Sequence, residues 1–257
     1  MNYIERSLAR EIREKVERIN NSSDKCIYRM LCEKIKRNLI DRNARIHSWR
    51  IENPGVVKKK LIKQGSARLK GAFELGKEKF KLPIDDYFLF HIVGKVEPEI
   101  YRRDMGYYRG DNDSVMITGS KYIPPASYKV RMREMPWFFE NLNLKISNSG
   151  DDPVQQLMAA IWTHFHIVRI HPFIDGNGRT ARTAQNIILD HYGFPLPIIP
   201  STERNTYYHC LEQAVGGWRD KEANGVNNGP TEGERIFYDF MAGKVNTSLD
   251  EIVRCIH

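Results

Sequence analysis

From His171 to Arg182 the chain reads His-Pro-Phe-Ile-Asp-Gly-Asn-Gly-Arg-Thr-Ala-Arg, and almost every position carries a group that can do chemistry. The imidazole of His171 titrates near neutrality and, fixed by Pro172, can take a proton from an incoming hydroxyl. Gly176 and Gly178 precede a helix whose first N–H groups have no helical acceptor, so phosphate oxygens can approach the backbone closely. Arg179 and Arg182 add two guanidinium forks within a turn. Asp175 offers a hard carboxylate to a magnesium ion shared with the phosphates, and Asn177 a neutral amide donor. A base, a metal ligand, an anion cradle and two cationic clamps within twelve residues are what phosphoryl-group transfer to a hydroxyl needs.

Plainer readings of the same residues are weaker. Gly176 to Ala181 fits the dinucleotide pattern GxGxxA, but no strand precedes it and no βαβ series surrounds it. Asp175-Gly-Asn-Gly begins like a calcium loop and then lacks the later ligands and the closing Glu. His164 and His166 are two apart, on different faces of a helix, so they read as structural rather than as zinc ligands beside His171.

The loop has to be held by helices. Asp151-Asp152-Pro153 is a strong helix start, and Val154, Leu157, Met158, Ile161, Phe165 and Val168 mark one apolar face through to Arg169. A second helix is expected from about 178 to 191, ending at Gly193 with Pro195 beyond. Others are expected at 202–216, 233–244 and 248–256. Upstream, Ile4, Leu8, Ile12, Val16 and Ile19 recur at helical spacing, as do Ile27, Leu31, Ile35 and Leu39. Asn53-Pro54-Gly55 breaks the pattern, and 56–80 reads as another charged helix. Between Tyr107 and Pro125, two short β-prone runs flank Gly119-Ser120, a hairpin signal. The fold expected is all-α with a small β-hairpin flap.

Composition bounds the partners. The 257 residues carry 40 Lys+Arg against 32 Asp+Glu, a net charge of +8, with 41% apolar residues, enough for a core. Residues 1–80 hold 21 basic and 10 acidic residues, the remainder 19 and 22. This suggests a basic helical region at 1–80 and a second domain at 81–257. No apolar run approaches a membrane span, and no h-region follows Met1. Cys26, Cys32, Cys210 and Cys255 form no CxxC pair, which fits reduced thiols and a cytoplasmic location. The basic third also admits a nucleic-acid-binding module, the most distant alternative, since no aromatic-basic stacking series or reading helix accompanies it.

The segment 171–182 resembles the complete signature of the Fic family, HPFx(D/E)GNGRxxR, with no departure at a defining position. Tyr108-Arg109 followed by Val115 to Pro125 is similar to the family's flap, and Asn205 to Leu211 to its following helix. Members mostly transfer AMP from ATP-magnesium to a protein hydroxyl. The resemblance therefore implies His171 as general base and Asp175 as metal ligand, with Gly176, Asn177 and Gly178 as the anion hole. It further implies Arg179 on the γ-phosphate, Arg182 near the β-phosphate and Phe173 anchoring the loop. Tyr207 or Tyr208 is set against the adenine, with a core position the alternative for each. A flap around Met116, Ile117, Thr118 and Gly119 would dock the target by main-chain pairing.

The family is often restrained by a helix bearing (S/T)xxxE(G/N). Ser48-Trp-Arg-Ile-Glu52-Asn53 matches it, and the resemblance implies a Glu52 carboxylate paired with Arg179. Thr247 to Glu251 is a rival match, better read as a capping box between Ser248 and Glu251. The partners implied are ATP and a target protein, with self-modification and a homo-oligomer both compatible. Removal of AMP at the same site, or transfer of another phosphate-linked group, are the alternatives within the family.

Overall fold

The computed structural model describes residues 3–22, 33–101, 106–111, 113, 115–117, 120, 122–225 and 229–254. The periodicity of the first residues becomes α1 (Arg6–Ser22), which buries Ala9 and Ile12. A π-helical turn, Lys36–Ile40, leads into α2 (Asp41–Glu52), which stops at Asn53 ahead of Pro54 and Gly55. Residues 27–32 of the second expected apolar series lie outside the described residues. Then come α3 (Lys59–Lys79) and α4 (Asp86–Val96), the latter capped by Asp85, whose carboxylate accepts from the N–H of Tyr87 at 3.1 Å.

A short turn and a π-helical segment, Val130–Glu134, precede α5 (Met135–Ser149). The Asp-Pro start is realised in α6 (Pro153–Ile170): Asp152 accepts from the N–H of Val154 at 2.9 Å and Pro153 opens the first turn. From Ala159 to Ile170 every residue of α6 is buried, polar Thr163, His164, His166 and Arg169 included. It is the central helix, packed on α1, α5 and the three that follow it: α7 (Asn177–His191), α8 (Arg204–Ala223) and α9 (Glu232–Val253). One apolar cluster runs from Ile4 to Ile252, so α1 to α3 share a core with the rest of the chain.

Three expectations change. No strand forms among the described residues, and 115–117 and 122–126 are irregular chain, so the hairpin is not formed there. The helices expected at 233–244 and 248–256 are a single helix, α9, because Val245, Asn246, Ser248 and Leu249 continue its buried face. The capping box at its start is Thr231 with Glu234, whereas Ser248 is internal and donates to the carbonyl of Leu196 at 2.9 Å. Helices α4 and α5 were not anticipated. Asp86 to Val96 is an apolar run without clear period, and α5 buries residues on more than one stripe.

Candidate active site

The site is built where α6 ends and α7 begins. His171 takes a left-handed conformation, φ 52° and ψ 57°, the only non-glycine residue with positive φ among the described residues. Such a conformation costs about 1–3 kcal/mol and persists only when its surroundings fix it. The backbone of His171 donates to Ile167 at 2.9 Å, and its Nδ1–H donates to the carbonyl of Val168 at 3.2 Å. A carbonyl only accepts, so this bond sets the tautomer and leaves the lone pair of Nε2 free. Burial pushes the imidazole below its ordinary value, the Val168 bond opposes this and the Arg109 charge adds to it. His171 is therefore neutral at pH 7 and able to accept a proton.

The loop that follows satisfies its backbone with side chains. Asn177 Oδ1 accepts from the N–H of Phe173 and its Nδ2 donates to the Phe173 carbonyl, both at 2.9 Å. With Asn177 2% exposed, its amide is a staple across the loop, and one of the two Nδ2 hydrogens expected for phosphate is committed to Phe173. Tyr101 accepts from the N–H of Ile174 at 3.2 Å, and Asp175 from that of Gly176 at 2.5 Å. Phe173 is wholly buried among Phe90, Tyr101 and Tyr108. Gly176 needs its φ of 80° to start α7, and a Cβ there would meet Glu97 at 2.8 Å. The N–H groups of Asn177, Gly178 and Arg179 then open the helix without helical acceptors.

A cavity of about 230 Å³ is lined by His171, Ile174 to Arg179, Arg182, Tyr207, Tyr208 and, from the other side, Glu52. Val115, Met116 and Ile117 form part of the same wall, while Thr118 and Gly119 lie outside the described residues. Glu52 Oε1 sits 2.7 Å from Arg182 Nη2, and Oε2 accepts from the hydroxyl of Tyr208 at 3.1 Å. Ser48 adds two acceptors for the same guanidinium, Oγ to Nε at 2.8 Å and its carbonyl to Nη2 at 3.1 Å. Glu52 lies directly above the loop: a Cβ on Gly178 would fall 2.5 Å from its Oε1. Burial favours a neutral Glu52, but the Arg182 charge and hydrogen bond, with Arg179 and Tyr208, hold its carboxyl below the ordinary range. Asn53 ends α2 by donating to the carbonyl of Trp49 at 2.9 Å.

The partner of Glu52 is thus Arg182, not the expected Arg179. Arg179 turns instead to Glu97, just past α4, at 2.6 Å, with Asp175 at 3.5 Å. Burial pushes Glu97 up to about 7 against the opposing Arg179 charge. Sequence offered no signal for Glu97, which stands alone and outside any motif. The arginine reached by Glu52 is fixed by a buried chain behind it. Arg182 Nη1 donates to Tyr207 Oη at 3.1 Å, Tyr207 donates to His164 Nε2 at 2.8 Å, and His164 Nδ1 donates to Gln185 at 2.8 Å. Tyr207 is only 1% exposed, and its hydroxyl belongs to this chain. His164 is pushed down to about 3 by burial, with the Arg182 charge adding, so it serves as a neutral link. Glu251, the rival carboxylate, pairs with Arg254 at 2.9 Å, and neither it nor Ser248 lines the cavity.

Residues 84–189 match the Fic/DOC family, and the match ends inside α7 after covering the whole loop and its arginines. That segment of the chain is similar to the Fic/DOC family. "Protein adenylyltransferase Fic" of Drosophila persimilis and that of Drosophila willistoni are each 33% identical to this chain over 145 residues, 54% of its length. The chain spans about a quarter of the length of these curated relatives, 25% and 26%. Among solved structures, a Fic domain containing signaling protein of Bacteroides thetaiotaomicron superposes with a TM-score of 0.72 at 18% identity, covering 94% of this chain and 96% of that one. A segment of Fic-1 from C. elegans gives 0.64 at 17% identity, covering 94% and 72%. IbpAFic2 in complex with adenylylated Cdc42 gives 0.51 at 13% identity, covering 91% and 70%. These likenesses place the helical arrangement, from α1 to α9, within the Fic fold.

Among the described residues no group of three or more His, Cys, Asp or Glu gathers to hold an ion. Magnesium, however, is bound through one or two carboxylates plus substrate phosphates. The Asp175 carboxylate, 61% exposed at the cavity, fits that role.

Proposed function

We propose that this protein transfers AMP from ATP to a hydroxyl of a target protein and that Glu52 restrains the reaction. The observation that carries the proposal is the Glu52 carboxylate lying over Gly178 and on Arg182, where an anion would otherwise sit. A negatively charged side chain lines a cavity in which helix N–H groups and two arginines converge. Relatives named protein adenylyltransferase, and the adenylylated partner in the IbpAFic2 complex, support the choice of AMP.

In this reading His171 Nε2 takes the proton of the acceptor hydroxyl as oxygen attacks the α-phosphorus, and pyrophosphate leaves. The N–H groups of Asn177, Gly178 and Arg179 and the Arg182 guanidinium meet the charge that builds on the phosphate oxygens. Asp175 would hold magnesium, which neutralises phosphate charge when bound. The wall at Val115 to Ile117 would seat the target segment, and Tyr208, whose hydroxyl Glu52 occupies, lies next to the nucleotide. Division at about residue 80 separates the restraining α2 from the catalytic loop in role. Because Glu52 holds Arg182, the restraint works by denying the nucleotide that arginine, and Arg182 takes the outer phosphate assigned earlier to Arg179.

The test is labelling of lysate proteins by a Glu52→Gly variant given ATP carrying radiophosphorus at either the α or the γ position. Transfer of AMP labels protein from α-labelled ATP alone. Label from γ-labelled ATP would replace this reading with a kinase.

A further inference from the structure

A buried cation outside the motif lies against the His171 loop. Arg109 is 3% exposed, and its Nε donates to the carbonyl of His171 at 2.9 Å. Its Nη2 donates to the carbonyl of Pro125, at the far end of the segment whose Val115, Met116 and Ile117 line the cavity. Its own N–H donates to the carbonyl of Pro172 at 3.0 Å, and its carbonyl accepts from Arg131 Nη1 at 3.1 Å. Arg131 also holds Asp111 at 2.7 Å, and Ser127 donates to the same carboxylate oxygen at 3.0 Å.

Burying a guanidinium is costly unless its N–H groups find acceptors, and here Nε and Nη2 donate to main-chain oxygens on two separate segments. One of those oxygens belongs to the residue held in the left-handed conformation. A fork of planar, fixed donors can bridge two carbonyls in one geometry, which a flexible ammonium cannot. We infer that Arg109 is a positioning residue: it ties the His171 loop to the 107–125 segment, so that the general base and the surface seating the target stay in register. Arg109 lines no part of the cavity; it acts through the backbone it holds, and its charge adds to the downward push on the His171 imidazole. The inference rests on the transfer reading for its catalytic consequence, not for the tie itself. Displacing a catalytic group by about 1 Å can cost about 100-fold in rate.

Arg109→Gln and Arg109→Lys, each in the Glu52→Gly background, give the test. Hydrogen exchange is followed over 107–125, 165–176 and α9, nucleotide affinity by calorimetry, and transfer by α-label. In Arg109→Gln, exchange rises together in the first two segments and stays unchanged in α9. Transfer falls about 10–100-fold, while nucleotide affinity changes less than about threefold, a loss confined to the reaction step. Arg109→Lys, keeping one donor group, gives an intermediate result and serves in place of Arg109→Gln if that variant does not fold. Unchanged exchange, or a rise in only one of the two segments, overturns the tie. So does a parallel loss of affinity and transfer. If the Glu52→Gly parent transfers nothing yet both segments loosen together in its Arg109 variants, the tie stands and the transfer reading is what fails.

Discussion

At the level of single residues, the site depends on which atoms are already engaged. His171 has its Nδ1 committed to Val168 and its Nε2 open, so replacing it by Ala removes the proton acceptor while leaving the phosphate cradle intact. His171→Ala should lose transfer by at least about 100-fold with nucleotide affinity retained, as read by single-turnover labelling and calorimetry. Full labelling would sink the base assignment. Since burial lowers its pKa, the acid limb of the rate of the Glu52→Gly variant should fall below the ordinary histidine value of 6.5, with a flat profile from pH 7 to 8. Glu52 is also shifted down, from 4.5, so its pairing with Arg182 is present above 4.5 and is lost only as pH falls through the lowered value. The wild-type protein should accordingly stay restrained at pH 5. The proposed roles start from the motif, which fixes residue types at set spacings. What was not legible is direction: the inward turn of the Asn177 amide, the choice of Arg182 over Arg179 and the arrival of Glu97 depend on helices far apart in sequence.

Helix α2 matters because it delivers Glu52, and it is seated by its buried residues Ala44, Ser48 and Ile51 together with hydrogen bonds from outside the helix. Arg204 Nε donates to the carbonyl of Ile51 at 2.7 Å, and the N–H of Ser201 donates to His47 at 3.1 Å. Trp49 packs against Gly65 of α3, where a Cβ would fall 1.9 Å from the indole Nε1. An indole cannot step aside as a flexible side chain can, so Gly65→Ala should push α2 away at a cost of about 1–3 kcal/mol. Labelling by Gly65→Ala should rise above that of the wild type although Glu52 is intact, with a lowered Tm. Wild-type labelling in a folded Gly65→Ala protein would mean that α2 does not carry the restraint. The amphipathic pattern announced α1, the charged stretch at 56–80 announced α3 and the Asp-Pro start announced α6, since these signals are local. A hairpin was read into 107–125 from β-prone residues, yet its described part is irregular chain tied down by side chains such as Arg109. Local propensity loses there to tertiary hydrogen bonds.

For the whole molecule, the sequence divided the chain by charge at about residue 80, but packing does not. The net +8 resides mostly on solvated faces of α1 to α3, whose apolar faces join the core that continues to Ile252. Of the four cysteines, Cys210 is a free, buried thiol, and the other three lie outside the described residues. No helix among the described residues is long and apolar enough to cross a membrane. A shared core predicts one cooperative thermal transition, with near-ultraviolet and far-ultraviolet signals coinciding. A separate early melting of 1–80 would contradict it. Sequence could not show this, because charge marks the surface while the core is assembled from residues hundreds of positions apart. Glu52 lies over Gly178 and on Arg182, the place proposed for a nucleotide phosphate during AMP transfer. The most direct measurement compares protein labelling from α-labelled ATP by the wild type, by Glu52→Gly and by Glu52→Gly with His171→Ala. Weak labelling, strong labelling and none, in that order, is the result predicted; a folded Glu52→Gly protein that labels no more than the wild type would contradict it.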